Sequence, residues 1–494
     1  VYSYDQKRAP LFEGLLKHKE KNTLPFHIPG HKKGRGMDPD FREFLGENAL
    51  GIDLINIAPL DDLHHPHGMI QEAQNFAAEA FGAEATFFSV QGTSGAIMTM
   101  IMTVCAPGDK IIVPRNVHKS IMSAIIFSGA TPIFISPEVD SELGISHGIT
   151  AEAVERAIRS HPEAKGLLVI NPTYFGIAAD LKKIVQISHA AGIPVLVDEA
   201  HGVHIHFHDN LPLSAMQAGA DMAATSVHKL GGSLTQSSVL NVQGSLISTA
   251  RVQTVISMLT TTSTSYILLA SLDTARRYLA TEGRNELERI QNLADSLRNH
   301  INKIPGLHAP GKEIINEHSR YDLDPTKITI SVKNLMITGY EAEVWLRDHK
   351  NIEVELSDLY NVLCLITFGD SEDTIHTLLA ALSAMSENFY PGNDQIKNGV
   401  HVDIPNIPVL AYSPRDAFYA ETETIPLFEA AGRISAEFIM IYPPGIPVFI
   451  PGEIIEQENL DYIEKNIRSG LPVQGPEDAS LKNLRVIKER KAIL

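Results

Sequence analysis

The chain has 494 residues, 44% of them apolar and 20% charged, which suits two to four folded domains and excludes a single small binding module. Its 41 Lys and Arg against 59 Asp and Glu leave a formal charge of −18 with histidines neutral, which repels phosphate backbones and anionic lipid headgroups and speaks against a nucleic-acid partner. Two cysteines, Cys105 and Cys364, are too few for a disulfide framework or a zinc motif and point to a reducing cytoplasm.

Taken in chain order, the opening residues 1–8 lack the apolar core of a signal peptide and carry no fold expectation. From about residue 80 to 285, short apolar runs at 86–90, 110–114, 131–135, 166–170, 194–198 and 222–226 alternate with helical stretches. Runs that are apolar on both faces and separated by helices predict a parallel, doubly wound α/β sheet, with ligands bound beyond the carboxyl ends of its strands. The most apolar stretch, 96–106, is broken by Thr99 and Thr103 and falls short of the ~20 residues that span a bilayer, so no membrane segment is expected. After about residue 282 the pattern becomes a helix over 285–304, strand-like 327–332, a helix around Trp345, and strand-like 352–356 and 362–367, which reads as a second, smaller α/β domain. The polar stretch 391–399 is a linker candidate. A Pro-rich C-terminal unit follows, with a strand-like run at 435–442 and a loop at 443–453.

The strand ends carry the chemistry. Run 194–197 ends in Asp198-Glu199-Ala200-His201, and run 222–225 ends in Ser226-Val227-His228-Lys229, so an acid and a lysine converge on one crevice. A magnesium-binding helicase reading of Asp-Glu-Ala-His requires an upstream Gly-x-x-x-x-Gly-Lys-Ser/Thr, and the chain has none. Upstream, Gln91-Gly92-Thr93-Ser94-Gly95 between a strand and an apolar helix makes an anion cup of free amides and hydroxyls, or else an N-cap by Thr93 or Ser94. His118 follows the run 110–114 at the same sheet edge. His204, His206 and His208 alternate and would share one strand face, yet no Cys or acid recurs at metal-ligand spacing, so no metal is expected. A phosphate cup, a ring-sized His, a strand-end carboxylate and a strand-end lysine together match what pyridoxal 5′-phosphate requires.

These residues resemble a known family. Phe26-His-Ile-Pro-Gly-His-Lys-Lys-Gly34, Gln91-Gly-Thr-Ser-Gly95, Asn116-Val-His-Lys-Ser120, Asp198-Glu-Ala-His201, Ser226-Val-His-Lys229, Tyr442-Pro-Pro-Gly-Ile-Pro447 and Pro451-Gly-Glu453 are similar to the ornithine/lysine/arginine decarboxylases of the aspartate-aminotransferase fold (fold type I). Within that family they are most similar to the short biosynthetic branch of Bacillus-type bacteria that acts on arginine. The resemblance implies that Lys229 binds the cofactor, that Asp198 pairs with its ring nitrogen and that His118 stacks on the ring. It places Gly92, Thr93, Ser94, Ser226 and His228 around the phosphate and His201 near the ring, where relatives carry Trp. Thr261, in the run Thr260-Thr-Thr-Ser263, would reach the cofactor of a neighbouring subunit, giving a homodimer or larger homo-oligomer with shared sites. Glu355 would face the cationic end of the substrate, with Asp358 a second candidate and the C-terminal acid Glu453 a further one.

On this reading the chain has an N-terminal segment (1–60), a large cofactor-binding domain (61–285), a small α/β domain (286–390) and a C-terminal domain (391–494). The expected activity is cytoplasmic decarboxylation of a small cationic amino acid, L-arginine to agmatine, for polyamine synthesis. Lysine or ornithine decarboxylation is the nearest alternative. An aminotransferase or β-eliminating lyase uses the same lysine, aspartate and phosphate cup. A non-catalytic cofactor-binding protein is disfavoured by the intact Lys229.

Overall fold

The structure, a computed structural model, describes residues 2–392, 406–441, 445–468 and 473–488. The chain divides into two compact units, Val1–Val104 with Gly192–Glu288, and Cys105–Ala191 with Arg289–Leu494.

In the first unit four strands stand side by side in the order Ala85–Ser89, Ser238–Val242, Met222–Thr225, Val195–Asp198. The last two are parallel, with Val197 opposite Ala223 and Asp198 opposite Ala224. All residues of Val195–Asp198 and Met222–Thr225 are buried, as expected of strands with both faces covered. The sheet is parallel-rich, as expected, rather than wholly parallel: Ser238–Val242 runs antiparallel to both of its neighbours. Between Thr225 and Ser238 the chain makes a single helical turn, Val227–Leu230, which is too little for the crossover that a parallel return demands. At the N-terminal side, Asp273 accepts the amides of Leu11 and Phe12 while its ion-pair partner Arg276 bonds the carbonyls of Gln6 and Arg8, tying the first helix, Pro10–Glu20, to Tyr266–Thr281.

In the second unit Lys110–Pro114 lies between Thr131–Ile135 and Gly166–Ile170, parallel to both. The helices that return the chain start at side-chain caps: Thr150 accepts the Ala153 amide and Asp180 that of Lys183. Lys327–Ser331, Asn361–Leu365 and Leu356–Ser357 form an antiparallel sheet. Of the strand-like run 352–356 only its last residue is strand; Asn351, left-handed at φ 53°, ends the helix Gly339–Lys350, and the next residues are spent turning the chain. The C-terminal portion closes its own core from Ile439, Val448, Phe449, Ile455, Leu460, Ile463, Leu484 and Val486. Most of the linker candidate, 393–399, and Tyr442, Pro443 and Pro444 of the closing motif lie outside the described residues.

The alternating histidines do not share a strand face. His206 lies in a 3-10 turn, Ile205–Phe207, with His204 and His208 flanking it. The His206 ring accepts or donates a bond to Ser214 Oγ at 3.0 Å and packs where a Cβ on Gly82 would stand, and burial lowers its pKa to about 4. Alternation in sequence is a poor guide here because the chain turns immediately after Asp198 instead of extending. No helix among the described residues is long and apolar enough to cross a membrane.

Candidate active site

Parallel pairing in the first unit brings the two strand-end motifs together. Asp198 ends its strand, and the neighbouring strand passes through Ser226 into the turn that carries His228 and Lys229. The turn is tight: a Cβ on Gly231 would meet the Val227 carbonyl at 2.8 Å. Lys229 Nζ lies 2.7 Å from His201 Nε2. Asp198, 6% exposed, accepts the Ala200 amide at 3.2 Å, and the nearby Lys229 favours its charge. Burial outweighs both and pushes its pKa up to about 6, so the carboxylate is placed to gain from a further cation. Glu199 accepts the Ala215 amide at 2.7 Å and the Thr225 hydroxyl at 3.1 Å, and burial raises it to about 7.

The segment Gln91–Gly95, read from sequence as an anion cup, lies beside this pair. Gly92 opens the helix Gly92–Val104 at φ 67°, a left-handed conformation that favours glycine, and a Cβ there would meet nothing within 4 Å. Thr93 does not cap the helix; its hydroxyl bonds those of Ser226 and Ser238, linking the first turn of the helix to the end of Met222–Thr225 and the start of Ser238–Val242. Ser94 follows, half-buried. His228 Nδ1 donates to the Ser237 carbonyl at 2.9 Å, which fixes the ring orientation. Thus Gly92, Thr93, Ser94, Asp198, His201, Ser226, His228 and Lys229 share one corner of one unit. Thr261 stands on an exposed turn, where its carbonyl accepts from His64 Nε2 and its hydroxyl from the Ser263 amide, and those bonds do not join it to that corner.

The second unit holds His118 and Glu355. His118 caps the helix Lys119–Ser128: its Nδ1 accepts the Ser120 amide at 3.2 Å and lies 2.8 Å from Ser120 Oγ, so the neutral ring carries its proton on Nε2. Glu355 is exposed and accepts the Tyr174 hydroxyl at 2.5 Å. Asp358 is not a comparable ligand group. It is 4% exposed, and its carboxylate is occupied by the Tyr360 and Asn361 amides and the Asn361 side chain, which close the turn into Asn361–Leu365.

Glu453 is also ruled out as a substrate anchor, and it exposes a residue that the sequence reading missed. Arg115, 1% exposed, grips Glu453 through two bonds of 2.6 and 2.8 Å, donates to the Pro447 and Val448 carbonyls, and lies 4.6 Å from the Phe134 ring. The Ile450 amide donates a third bond to Glu453, at Oε2, 2.9 Å. The pair therefore anchors the C-terminal segment 446–455 at the chain that leads to His118; this segment was expected to be loop, but Ile446–Phe449 is strand, paired antiparallel with Ile439–Ile441. Both residues sit in or beside quoted motifs, yet 338 positions separate them and no local spacing links them.

Known proteins match along most of the chain. The family model described as Orn/Lys/Arg decarboxylase, major domain, matches residues 9–374, and that of its C-terminal domain matches 404–470. An arginine decarboxylase of Bacillus anthracis is 67% identical over 493 residues, covering 100% of both chains. One from Bacillus subtilis is 65% identical over 488 residues, covering 99% of each. A solved lysine decarboxylase of Francisella novicida, 24% identical, superposes with a TM-score of 0.84 over 97% of this chain and 81% of its own, which shows the shared fold. Strand-end lysine and aspartate, glycine-opened cup and family match agree: the chain belongs to the Orn/Lys/Arg decarboxylase family.

Proposed function

We propose that the chain decarboxylates L-arginine to agmatine and CO2, in the cytoplasm and in support of polyamine synthesis, with pyridoxal 5′-phosphate as cofactor. The observation that carries this reading is Lys229 beside buried Asp198 on adjacent parallel strand ends, in a chain matched end to end by relatives named arginine decarboxylase. The residues fit the cofactor: a buried carboxylate held up by burial suits a protonated ring nitrogen, and the open space at Gly92 suits a phosphate at a helix N-terminus. When bound, this group supplies an electron sink for the bond broken at the substrate Cα.

Asp198 keeps a proton on the ring nitrogen by charge pairing. Lys229 supplies the amine that holds the cofactor. The 2.7 Å contact with His201 Nε2 orients the Lys229 amine at the strand end. Gly92, Thr93, Ser94, Ser226 and His228 hold the phosphate. By the family pattern His118 presents its ring face to the cofactor, and Thr261 contributes in trans to the site of a second subunit in a homodimer or larger homo-oligomer. Glu355 offers a carboxylate whose two oxygens match the planar guanidinium fork. The same reading keeps the boundaries proposed from sequence: 1–60, 61–285, 286–390 and 391–494.

The test is a product assay on purified holoenzyme with arginine, lysine and ornithine side by side. Agmatine and equimolar CO2, with arginine highest in kcat/KM, support the reading. Preference for lysine or ornithine overturns the substrate, and cofactor binding without CO2 release overturns the reaction class.

A further inference from the structure

We propose that Tyr174 is a positioning residue that sets specificity, its hydroxyl locking Glu355 in the orientation that accepts a guanidinium. The proposal rests on the reading of Glu355 as the side-chain anchor and deepens it. Tyr174 stands at the tip of the loop that follows the parallel strand Gly166–Ile170, at its carboxyl end, where ligands of such sheets bind.

The loop is held on both flanks. The Thr173 amide donates to the Ile177 carbonyl at 2.8 Å, the Gly176 amide to the Thr173 carbonyl at 2.9 Å, and the Ala179 amide to Asn171 Oδ1 at 2.9 Å. Ile177–Ala178 pairs with Asp322–Leu323, and the Asp324 amide donates to the Gly176 carbonyl at 2.8 Å. Gly176 has φ 85°, and a Cβ there would meet Lys327 Cγ at 2.7 Å, so the turn beside Tyr174 has little room to adjust. Glu355 is equally fixed at its backbone, its amide donating to the Leu363 carbonyl at 2.9 Å just before Leu356–Ser357 joins its sheet.

Between these two held segments, the phenol donates to Glu355 Oε1 at 2.5 Å, a length typical of an O–H···O⁻ bond. A glutamate that is exposed would otherwise sample many rotamers. The tyrosine takes one lone-pair direction of Oε1 and leaves Oε2 and the second Oε1 direction open in a defined plane. A guanidinium presents two parallel N–H groups and profits from that plane, whereas an ammonium is a compact point charge that pairs with a carboxylate in many orientations. Loss of the phenol therefore costs a guanidino ligand more than an amino ligand.

The experiment measures arginine kinetics, and competitive inhibition by agmatine and by cadaverine, on wild-type holoenzyme, Tyr174→Phe, Glu355→Gln and the double variant. Tyr174→Phe is expected to raise the arginine KM and the agmatine inhibition constant roughly ten-fold, with kcat within about two-fold and cadaverine shifted by less than about two-fold. In the Glu355→Gln background the tyrosine substitution is expected to add nothing. Wild-type agmatine affinity in Tyr174→Phe, or equal losses for agmatine and cadaverine, overturns the positioning role. An arginine kcat/KM unchanged in Glu355→Gln instead overturns the anchor reading beneath it. Tyr174→Trp, which keeps an aromatic ring but cannot place a hydroxyl on Glu355, is expected to show the same selective loss, and full agmatine affinity there contradicts the proposal.

Discussion

Replacing Glu453 by Ala would strand a guanidinium inside the second unit. Arg115 is 1% exposed and Glu453 0%, so the variant removes two charge-assisted bonds, orphans the Ile450 amide and leaves Arg115 with the Pro447 and Val448 carbonyls and the Phe134 ring. Breaking a buried pair in this way costs about 3–5 kcal/mol. With about 2 °C per kcal/mol for units of this size, the thermal midpoint should fall by roughly 6–10 °C. Burial nevertheless holds the Glu453 pKa above its ordinary value despite Arg115, so the ionised pair is itself a modest stabiliser. Replacing both partners with apolar residues, Arg115→Met with Glu453→Leu, should therefore recover most of the loss, to within about 1 kcal/mol of wild type. Melting curves of the three proteins followed by circular dichroism decide the matter. A Glu453→Ala midpoint equal to wild type, or a double variant less stable than the single one, would show that the buried pair does not hold this segment in the way described.

Three further outcomes follow from the same geometry. Burial raises Glu199 to about 7, so the folded cofactor-free chain holds that proton more tightly than the unfolded chain, and stability from this group is present at acid pH and lost as pH rises toward 7. Glu199→Gln, which cannot ionise, should match wild type near pH 4 and exceed it by up to about 3 kcal/mol above pH 8 in denaturant titrations; a difference independent of pH contradicts this. Asp198→Asn should retain cofactor by absorbance yet lose turnover on the order of a hundred-fold or more, since an amide cannot hold the pyridinium proton, and near-normal activity would disprove the role. Mixing Lys229→Ala subunits with Thr261→Ala subunits should restore activity through hybrid sites if Thr261 acts in trans, and its absence after verified exchange places the threonine elsewhere.

Lys229 and Asp198 were legible because strands buried on both faces show as uninterrupted apolar runs, and the residue that ends such a run stands at the ligand edge. Ser238–Val242 was hidden: its polar Ser238 and Asn241 break the run, and Asn241 is satisfied only across the sheet by Thr86. The direction of that strand depends on the length of the preceding turn, which apolar patterning does not report. Only the family resemblance ranked Glu355 above Asp358; physically, what separates them is the turn that buries one and leaves the other on Tyr174. Arg115 and Glu453 were each visible within or beside a motif, but a pairing across 338 residues leaves no periodic trace in either neighbourhood.

Lys229 is proposed to carry the cofactor beside Asp198. Borohydride reduction of the holoenzyme followed by peptide mapping should find a pyridoxyl group on Lys229, lost in Lys229→Ala. A pyridoxyl group on a different lysine of the wild-type protein would contradict this assignment.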